Sequence, residues 1–408
     1  MKGASTGSSS ATEHAILKGL NTAQRLAVIC KADVLAILAG PGSGKTHTLT
    51  ARVVWLLDHV GFEPQDVIVA TFTVKAAKEM KERITRILGE ERAKKIVLGT
   101  FHSIARKYIA AYGDRIGIPK KFSIADDSDT KAIIKRIRER LGLNNVDISA
   151  AKEWISHRKV RGPQPVKAFS LSQAQNRAQF DENMVRIYTE YQDHLERSDL
   201  LDYDDLLVKG VELLERFPGC VKNVQTVLID EYQDTNHIQF KLMKLFASAR
   251  GRITIVGDPD QSIYGWRSAD LKNFEHLFRD YPDHVRIALE ENYRSSGSII
   301  QSSLDVIRQD GERIDKTLTP THRHGIQPVL RKLKTNTSEG DWIVEELQRI
   351  TTLTGGMLKY QDCAILLRSA YLSRQVESAL GRAGISYRMI GKLVSSHSTS
   401  ASNSARRP

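Results

Sequence analysis

Hydrophobic residues along this chain come in two rhythms. Short unbroken apolar runs alternate with stretches in which apolar positions recur every three or four residues. The run Val34-Leu35-Ala36-Ile37-Leu38 reads as a buried parallel strand, and residues 48–57 after it carry a helical pattern. Residues 66–73 repeat the theme as a strand ending in polar residues, followed by a helix over 76–84 and a third strand over 96–102. Ahead of these, Leu20-Asn21-Thr22-Ala23-Gln24-Arg25 opens a helix running to about Cys30, with Asn21 or Thr22 as its cap. Strand alternating with helix predicts an α/β fold around a parallel sheet.

From about residue 104 to 198 the strand signals stop. The span is charged and helical, with a clear amphipathic segment at 131–138, and reads as an all-α insertion. Its basic residues Lys152, Arg158, Lys159 and Arg161 either line a phosphate track or form a solvated helix face. The sheet resumes at 224–229 and 253–257. A second α/β region follows residue 290, with strands expected at 362–368 and 385–390 and a short helix at 376–381. Residues 1–13 and 392–408 are rich in Ser, Gly and Thr and read as unstructured tails. The expected organisation is therefore a first domain of 14–103 and 199–290, an insertion of 104–198, and a partial second domain of 291–391.

Composition narrows the class. With 408 residues the chain is long enough for two or three domains, and 41% hydrophobic content supplies their cores. A net charge of +12 suits a polyanionic partner such as nucleic acid, or a membrane surface. Three dispersed cysteines (Cys30, Cys220, Cys363) lack metal-ligand spacing and suggest a reducing compartment without a disulfide framework. No stretch approaches the ~20 apolar residues of a membrane span, and the first ten residues carry no secretory h-region.

Three motifs carry chemistry. Ala39-Gly40-Pro41-Gly42-Ser43-Gly44-Lys45-Thr46, between strand and helix, is a phosphate-binding loop. Its glycines let backbone N–H groups curl around a phosphate, Lys45 reaches the β- and γ-phosphates, and the Thr46 hydroxyl suits Mg²⁺. The strict pattern has Gly where this chain has Ala39, a mild departure. Second, Val227-Leu228-Ile229-Asp230-Glu231 ends an apolar strand in two carboxylates. Asp230 suits the metal, directly or through water, and Glu231 suits a general base for the attacking water. Third, residues 255–269 place Gln261 after a strand tip, within reach of a γ-phosphate. Tyr264, Trp266 and Arg267 follow as a stacking platform with an adjacent cation, which suits single-stranded bases.

Six blocks in this order resemble the superfamily 1A DNA helicases, the bacterial Rep-, PcrA- and UvrD-type enzymes and their fungal anti-recombinase relatives. They are LNTAQR (20–25), AGPGSGKT (39–46), TFTVKAAKEM (71–80), GTFHS (99–103), IDEYQDTN (229–236) with GDPDQSIYGWRSA (257–269), and ENYRSS (291–296). The stretches TLTARV after the loop and KTLTPTH (316–322) lean toward the fungal branch. The resemblance implies a RecA-like P-loop NTPase domain with its helical insertion and a partial second RecA-like domain. It implies ATP and Mg²⁺ as cofactors, single-stranded DNA and ss/ds junctions as partners, and 3′→5′ helicase activity in repair, replication or recombination control. It implies a nucleus if the source is eukaryotic and the cytoplasm if bacterial.

Residue by residue, the resemblance makes Gln24 the adenine-reading glutamine and Tyr293 the aromatic on adenine. Lys45 and Thr46 become phosphate and Mg²⁺ residues, Asp230 and Glu231 the metal and catalytic carboxylates, Gln261 the γ-phosphate sensor, and Arg294 an arginine finger. Phe72, His102, Tyr264, Trp266 and Arg267 fall where the family touches DNA. Asp202-Tyr203-Asp204-Asp205 fits a helix start. Departures are His47, where a basic residue is common, and Val74, where an amide is. Because the likeness stops near Gly391, an incomplete second motor domain is expected. A fragment that binds ATP and single-stranded DNA without unwinding stands beside the helicase reading.

Overall fold

The apolar runs assemble into a six-stranded sheet in which every pairing is parallel. The computed structural model describes residues 16–161, 177–265, 269–311, 313–314 and 316–390. The expected tails at 1–13 and 392–408 lie outside them.

The chain enters through α1 (Thr22–Ile29), whose N-cap is Asn21 in a reciprocal box with Gln24. β1 (Val34–Ala39) leads into α2 (Lys45–Asp58). β2 (Val67–Thr71) leads into α3 (Val74–Leu88) and α4 (Glu90–Lys95). β3 (Val97–Thr100) runs directly into α5 (Phe101–Tyr112). After the insertion come α9 (Tyr203–Arg216), β6 (Thr226–Ile229), α10 (His237–Phe246), β7 (Ile253–Gly257), α11 (Lys272–Asp280) and β8 (Val285–Leu289). The strand order is β3-β2-β6-β7-β1-β8.

β1 is buried at every position because it lies between two strands and two helical layers. Its side chains divide with the period of two that a strand imposes. Val34, Ala36 and Leu38 join a core with Ile104, Leu242 and Phe274 on one face. Leu35, Ile37 and Ala39 join Leu49, Val53 and Met80 on the other.

The insertion holds α6 (Asp127–Arg140), α7 (Ile148–Arg161) and α8 (Arg177–Arg197), packed around their own core of Ile134, Ile155, Ile187 and Tyr191. It is not wholly helical. Two-residue strands β4 (Ser123–Ile124) and β5 (Leu200–Leu201) pair in parallel at its base.

Lys159 corrects the phosphate-track reading. Its ammonium is buried, 2.7 Å from Asp202 Oδ2 and 2.8 Å from Asp205 Oδ1. Asp202 in turn caps α9, so this lysine anchors the insertion to the sheet domain. Lys152 is paired with Asp127, and the Arg158 guanidinium lies 5.8 Å from the Trp154 ring. The Arg161 side chain lies outside the described residues.

By compactness the chain divides into two units, 1–327 and 328–408. The first therefore carries β9 (Glu291–Asn292), which pairs with β10 (Thr319–Pro320), and α12 (Gly297–Ile307). The described part of the second is a helical hairpin, α13 (Asn336–Leu353) and α14 (Ser373–Arg382), packed through Val344, Val376 and Leu380.

The strands expected at 362–368 and 385–390 are not strands here. A strand needs a neighbour for its N–H and C=O groups, and among the described residues of this unit no strand is present to pair with. Leu366 is accordingly 93% exposed. Among the described residues no helix is long and apolar enough to cross a membrane.

Candidate active site

In a parallel sheet the carboxyl ends of the strands share one edge, and ligands collect there. Five of the strand tips carry the residues singled out above.

The loop after β1 is shaped by close approach. Gly42 and Gly44 have φ of +67° and +82°, in the region that favours glycine. A Cβ on Gly42 would lie 2.7 Å from Arg294 Cβ, and one on Gly44 would lie 2.6 Å from Gln24 Nε2. Ser43 Oγ closes the loop by donating to Gly40 O at 2.7 Å. Gly44 is the N-cap of α2 and no side chain caps that helix end. Its first N–H groups are therefore directed to the space where a phosphate would sit.

Gln24 is committed at both ends of its amide. Oε1 accepts from Asn21 N at 3.0 Å, and Nε2 donates to Ser43 O at 3.0 Å. It supports the loop from below. Arg52 fixes the helix that carries it: the buried guanidinium donates to Ala27 O, Val28 O and Cys30 O at the end of α1 and to Thr254 Oγ1 on β7. Burial pushes this guanidinium down to about 10.

Lys45 Nζ lies 4.0 Å from Glu231 Oε2. Burial lowers its pKa, while Glu231 and Asp230 pull the other way. Asp230 is 2% exposed. Burial, reinforced by the charge of Glu231, pushes its carboxyl up to about 7. Glu231 adopts a left-handed conformation, φ +50° and ψ +49°, costly for a non-glycine residue and common at functional sites. Gln233 Nε2 holds its Oε2 at 2.8 Å.

Asp230 and the Thr46 hydroxyl are hard oxygen donors, and the buried carboxylate is one whose charge a cation would offset. The pair fits Mg²⁺ held through few protein ligands and substrate phosphates.

Gln261 lies beyond β7. Its Nε2 donates to Asp258 Oδ2 at 2.5 Å. Tyr293 N donates to Gly42 O at 3.0 Å, and its hydroxyl bridges Asn21 Nδ2 and Glu291 Oε2. Arg294 follows, exposed, close enough to Lys45 to lower its pKa.

The DNA-contact candidates gather one step away. Phe72 and Tyr264 have ring centroids 5.0 Å apart, tilted by 36°. Phe72 and His102 line a cleft of about 750 Å³ between the sheet edge and the helical insertion. Burial lowers the His102 pKa, favouring the neutral ring. Trp266 and Arg267 lie outside the described residues.

Four residues escaped the sequence reading. Asn292 is buried; its Nδ2 donates to Pro41 O at 2.6 Å while its Oδ1 accepts from Arg294 N and Ser295 N. An Asn immediately ahead of the Tyr293-Arg294 pair was the available signal. Tyr203, 54% exposed, stands edge-on to His102 in the cleft. An aromatic among aspartates hinted at it. Lys316 and Arg313 pair with Asp258 and Asp260, a contact across more than fifty positions with no local signal.

The family model described as UvrD/REP helicase N-terminal domain matches residues 20–282, and that of the UvrD-like helicase C-terminal domain matches 287–394. The chain is 41% identical over 398 residues to the ATP-dependent DNA helicase srs2 of Schizosaccharomyces pombe, covering 93% of this chain and 45% of that protein. It is 36% identical over 389 residues to the ATP-dependent DNA helicase PcrA of Staphylococcus aureus, covering 93% and 52%. To PcrA of Leuconostoc citreum it is 35% identical over 382 residues, covering 92% and 50%. The chain thus spans about half the length of the curated relatives it matches.

Proposed function

The chain belongs to the UvrD/REP helicase family, and from that premise we propose that it is an ATP-driven 3′→5′ DNA translocase and helicase acting on single-stranded DNA and ss/ds junctions in repair or recombination. The observation that carries the reading is spatial. Lys45, Asp230, Glu231 and Arg294 converge on the glycine loop, and the Phe72–Tyr264 pair stands on loops of the same sheet edge.

In this reading Lys45 and the uncapped end of α2 hold the β- and γ-phosphates. Glu231, oriented by Gln233, accepts the proton of the attacking water. Arg294 meets charge developing on the transferred phosphoryl group. Mg²⁺ held by Thr46 and Asp230 would neutralise phosphate oxygens. Tyr293 presents its ring for adenine, and Gln24, which also braces the loop through Ser43 O, is the glutamine that reads it. Phe72, His102 and Tyr264, with Trp266 and Arg267, take the bases. The domain plan of 14–103 with 199–290, an insertion at 104–198, and a second motor region from 291 belongs to the same reading.

The test measures ATPase activity with and without oligo-dT, and strand separation on 3′- and 5′-tailed duplexes. Stimulation by DNA and separation of the 3′-tailed substrate alone are expected. Lys45→Ala should abolish nucleotide binding; unchanged affinity in that variant would refute the loop assignment. A second reading, ATP- and DNA-binding without unwinding, is favoured by the absence of strands at 362–368 and 385–390, where a sheet of the second motor region was expected. It predicts DNA-stimulated or basal ATP binding with no strand separation.

A further inference from the structure

At the tip of β7 lies a buried charge cluster that none of the roles above uses. Asp258, fully buried at the end of β7, and Asp260 two residues on are met by Lys316 and Arg313 from the segment before β10. The Lys316 ammonium contacts both carboxylates, at 3.1 Å in the case of Asp260. Arg313 grips Asp260 in a forked arrangement, Nε at 3.1 and 3.2 Å and Nη2 at 3.1 Å. Two formal negative and two formal positive charges balance.

The cluster is connected to three parts of the site. Asp258 holds the Gln261 amide at 2.5 Å. Asp258 N donates to Gln233 Oε1 at 2.9 Å, and the other end of Gln233 holds Glu231. Two residues beyond Lys316, Leu318 presses on the glycine loop, where a Cβ on Gly40 would lie 2.5 Å from its Cδ1. Tyr264, in ring contact with Phe72, is three residues after Gln261.

We propose that Lys316 is the positioning residue that lets the Gln261 segment report DNA binding to the nucleotide site. The inference rests on the reading of Gln261 as the nucleotide sensor. In the geometry described, the Gln261 amide is parked on Asp258. To reach a γ-phosphate it must leave a fully buried carboxylate, which then needs another partner. Lys316 is that partner. With the ammonium present, Asp258 stays satisfied when Gln261 departs. Without it, that carboxylate keeps only Asp260 N, on Oδ1 at 3.1 Å, and the Gln261 amide on Oδ2 as donors among the described residues, so Gln261 stays put.

Two substitutions therefore break the linkage from opposite ends. Lys316→Met holds Gln261 on Asp258, so DNA no longer alters nucleotide affinity. Asp258→Asn weakens the hold, so Gln261 is released before DNA arrives.

The experiment uses the 408-residue chain, a fluorescent non-hydrolysable ATP analogue and an oligo-dT strand. It reads the factor by which the strand changes analogue affinity, expected to be at least about fivefold in the wild type. Lys316→Met should bring the factor to about 1 while leaving DNA-free affinity at the wild-type value. Asp258→Asn should bring it to about 1 with DNA-free affinity raised to the wild-type DNA-bound value. Lys316→Arg should restore most of the factor. A merely structural role would lower thermal stability and both affinities together. If Lys316→Met fails to fold, Asp258→Asn decides alone. A folded variant of either kind that keeps the wild-type factor overturns the proposal. So does a wild-type chain that binds both probes with a factor of 1. A wild-type chain that does not bind the analogue overturns the ATP reading beneath it.

Discussion

Replacing Lys159 by Met tests whether the helical insertion is held to the sheet domain by buried charge. The substitution keeps the aliphatic stem and removes the ammonium. In the folded chain the Lys159 side chain is 2% exposed and its ammonium lies within 2.8 Å of two carboxylates, both nearly buried. Asp202 also accepts from the Tyr191 hydroxyl at 2.9 Å, and Asp202 and Asp205 exchange capping bonds. Those bonds survive the substitution, but two negative charges remain face to face. Breaking a buried pair by removing one partner costs about 3–5 kcal/mol. The surviving donors argue for the lower half of that range at neutral pH.

The loss should also depend on pH. Burial and Asp202 already hold the Asp205 carboxyl above the ordinary value, with Lys159 opposing them. Without the lysine the folded-state value rises further. A folded pKa raised above the unfolded one gives stability that is present at low pH and lost as pH rises through it. The deficit of Lys159→Met should therefore be largest at neutral pH and shrink on acidification.

Urea denaturation at several pH values measures this. A deficit below about 1 kcal/mol at neutral pH, as for an exposed pair, or one constant with pH, would refute the reasoning. A second arm separates anchor from phosphate track. A lysine on DNA contributes about one to the slope of log K against log salt. Lys159→Met should leave that slope unchanged.

Other outcomes follow from the same geometry. Burial and Asp202 push the Asp204 carboxyl up to about 6; because the folded value is raised, its stabilising contribution is lost as pH rises through that value. Asp204→Asn should gain on the order of 2 kcal/mol at neutral pH and nothing near pH 4, read by thermal denaturation across pH. Asn292→Ala removes the tie to Pro41 O and the partners of two backbone N–H groups. ATP affinity should fall at least about tenfold, measured by titration with a fluorescent analogue, because the loop is no longer held in its binding shape. Phe72→Ala removes one side of the ring pair and should weaken oligo-dT binding by about 1–3 kcal/mol without changing the salt slope.

Much of this protein was legible in its sequence because the signals are local. An apolar run, three glycines and Lys-Thr specify strand, loop and helix within a dozen residues. β7 falls on residues 253–257 as read, and of the two caps read for α1, Asn21 or Thr22, it is Asn21. The order of motifs identifies the family for the same reason, since each motif is a strand tip with its own chemistry. What lay between distant segments was not legible. Lys159 has the sequence character of a solvated cation, and only the packing of α7 on α9 buries it. Asn292, Arg313 and Lys316 gain their roles from contacts across more than fifty positions, some across about two hundred and fifty. The expected strands at 362–368 and 385–390 failed for the converse reason: β-pattern is a property of one segment, whereas a strand exists only when another backbone completes its hydrogen bonds. Sequence alone determined which side chains stand at the strand tips, because alternation and turn chemistry are nearest-neighbour physics. Tertiary structure alone decided which charges are buried, and against which partners, because desolvation depends on everything that packs around them.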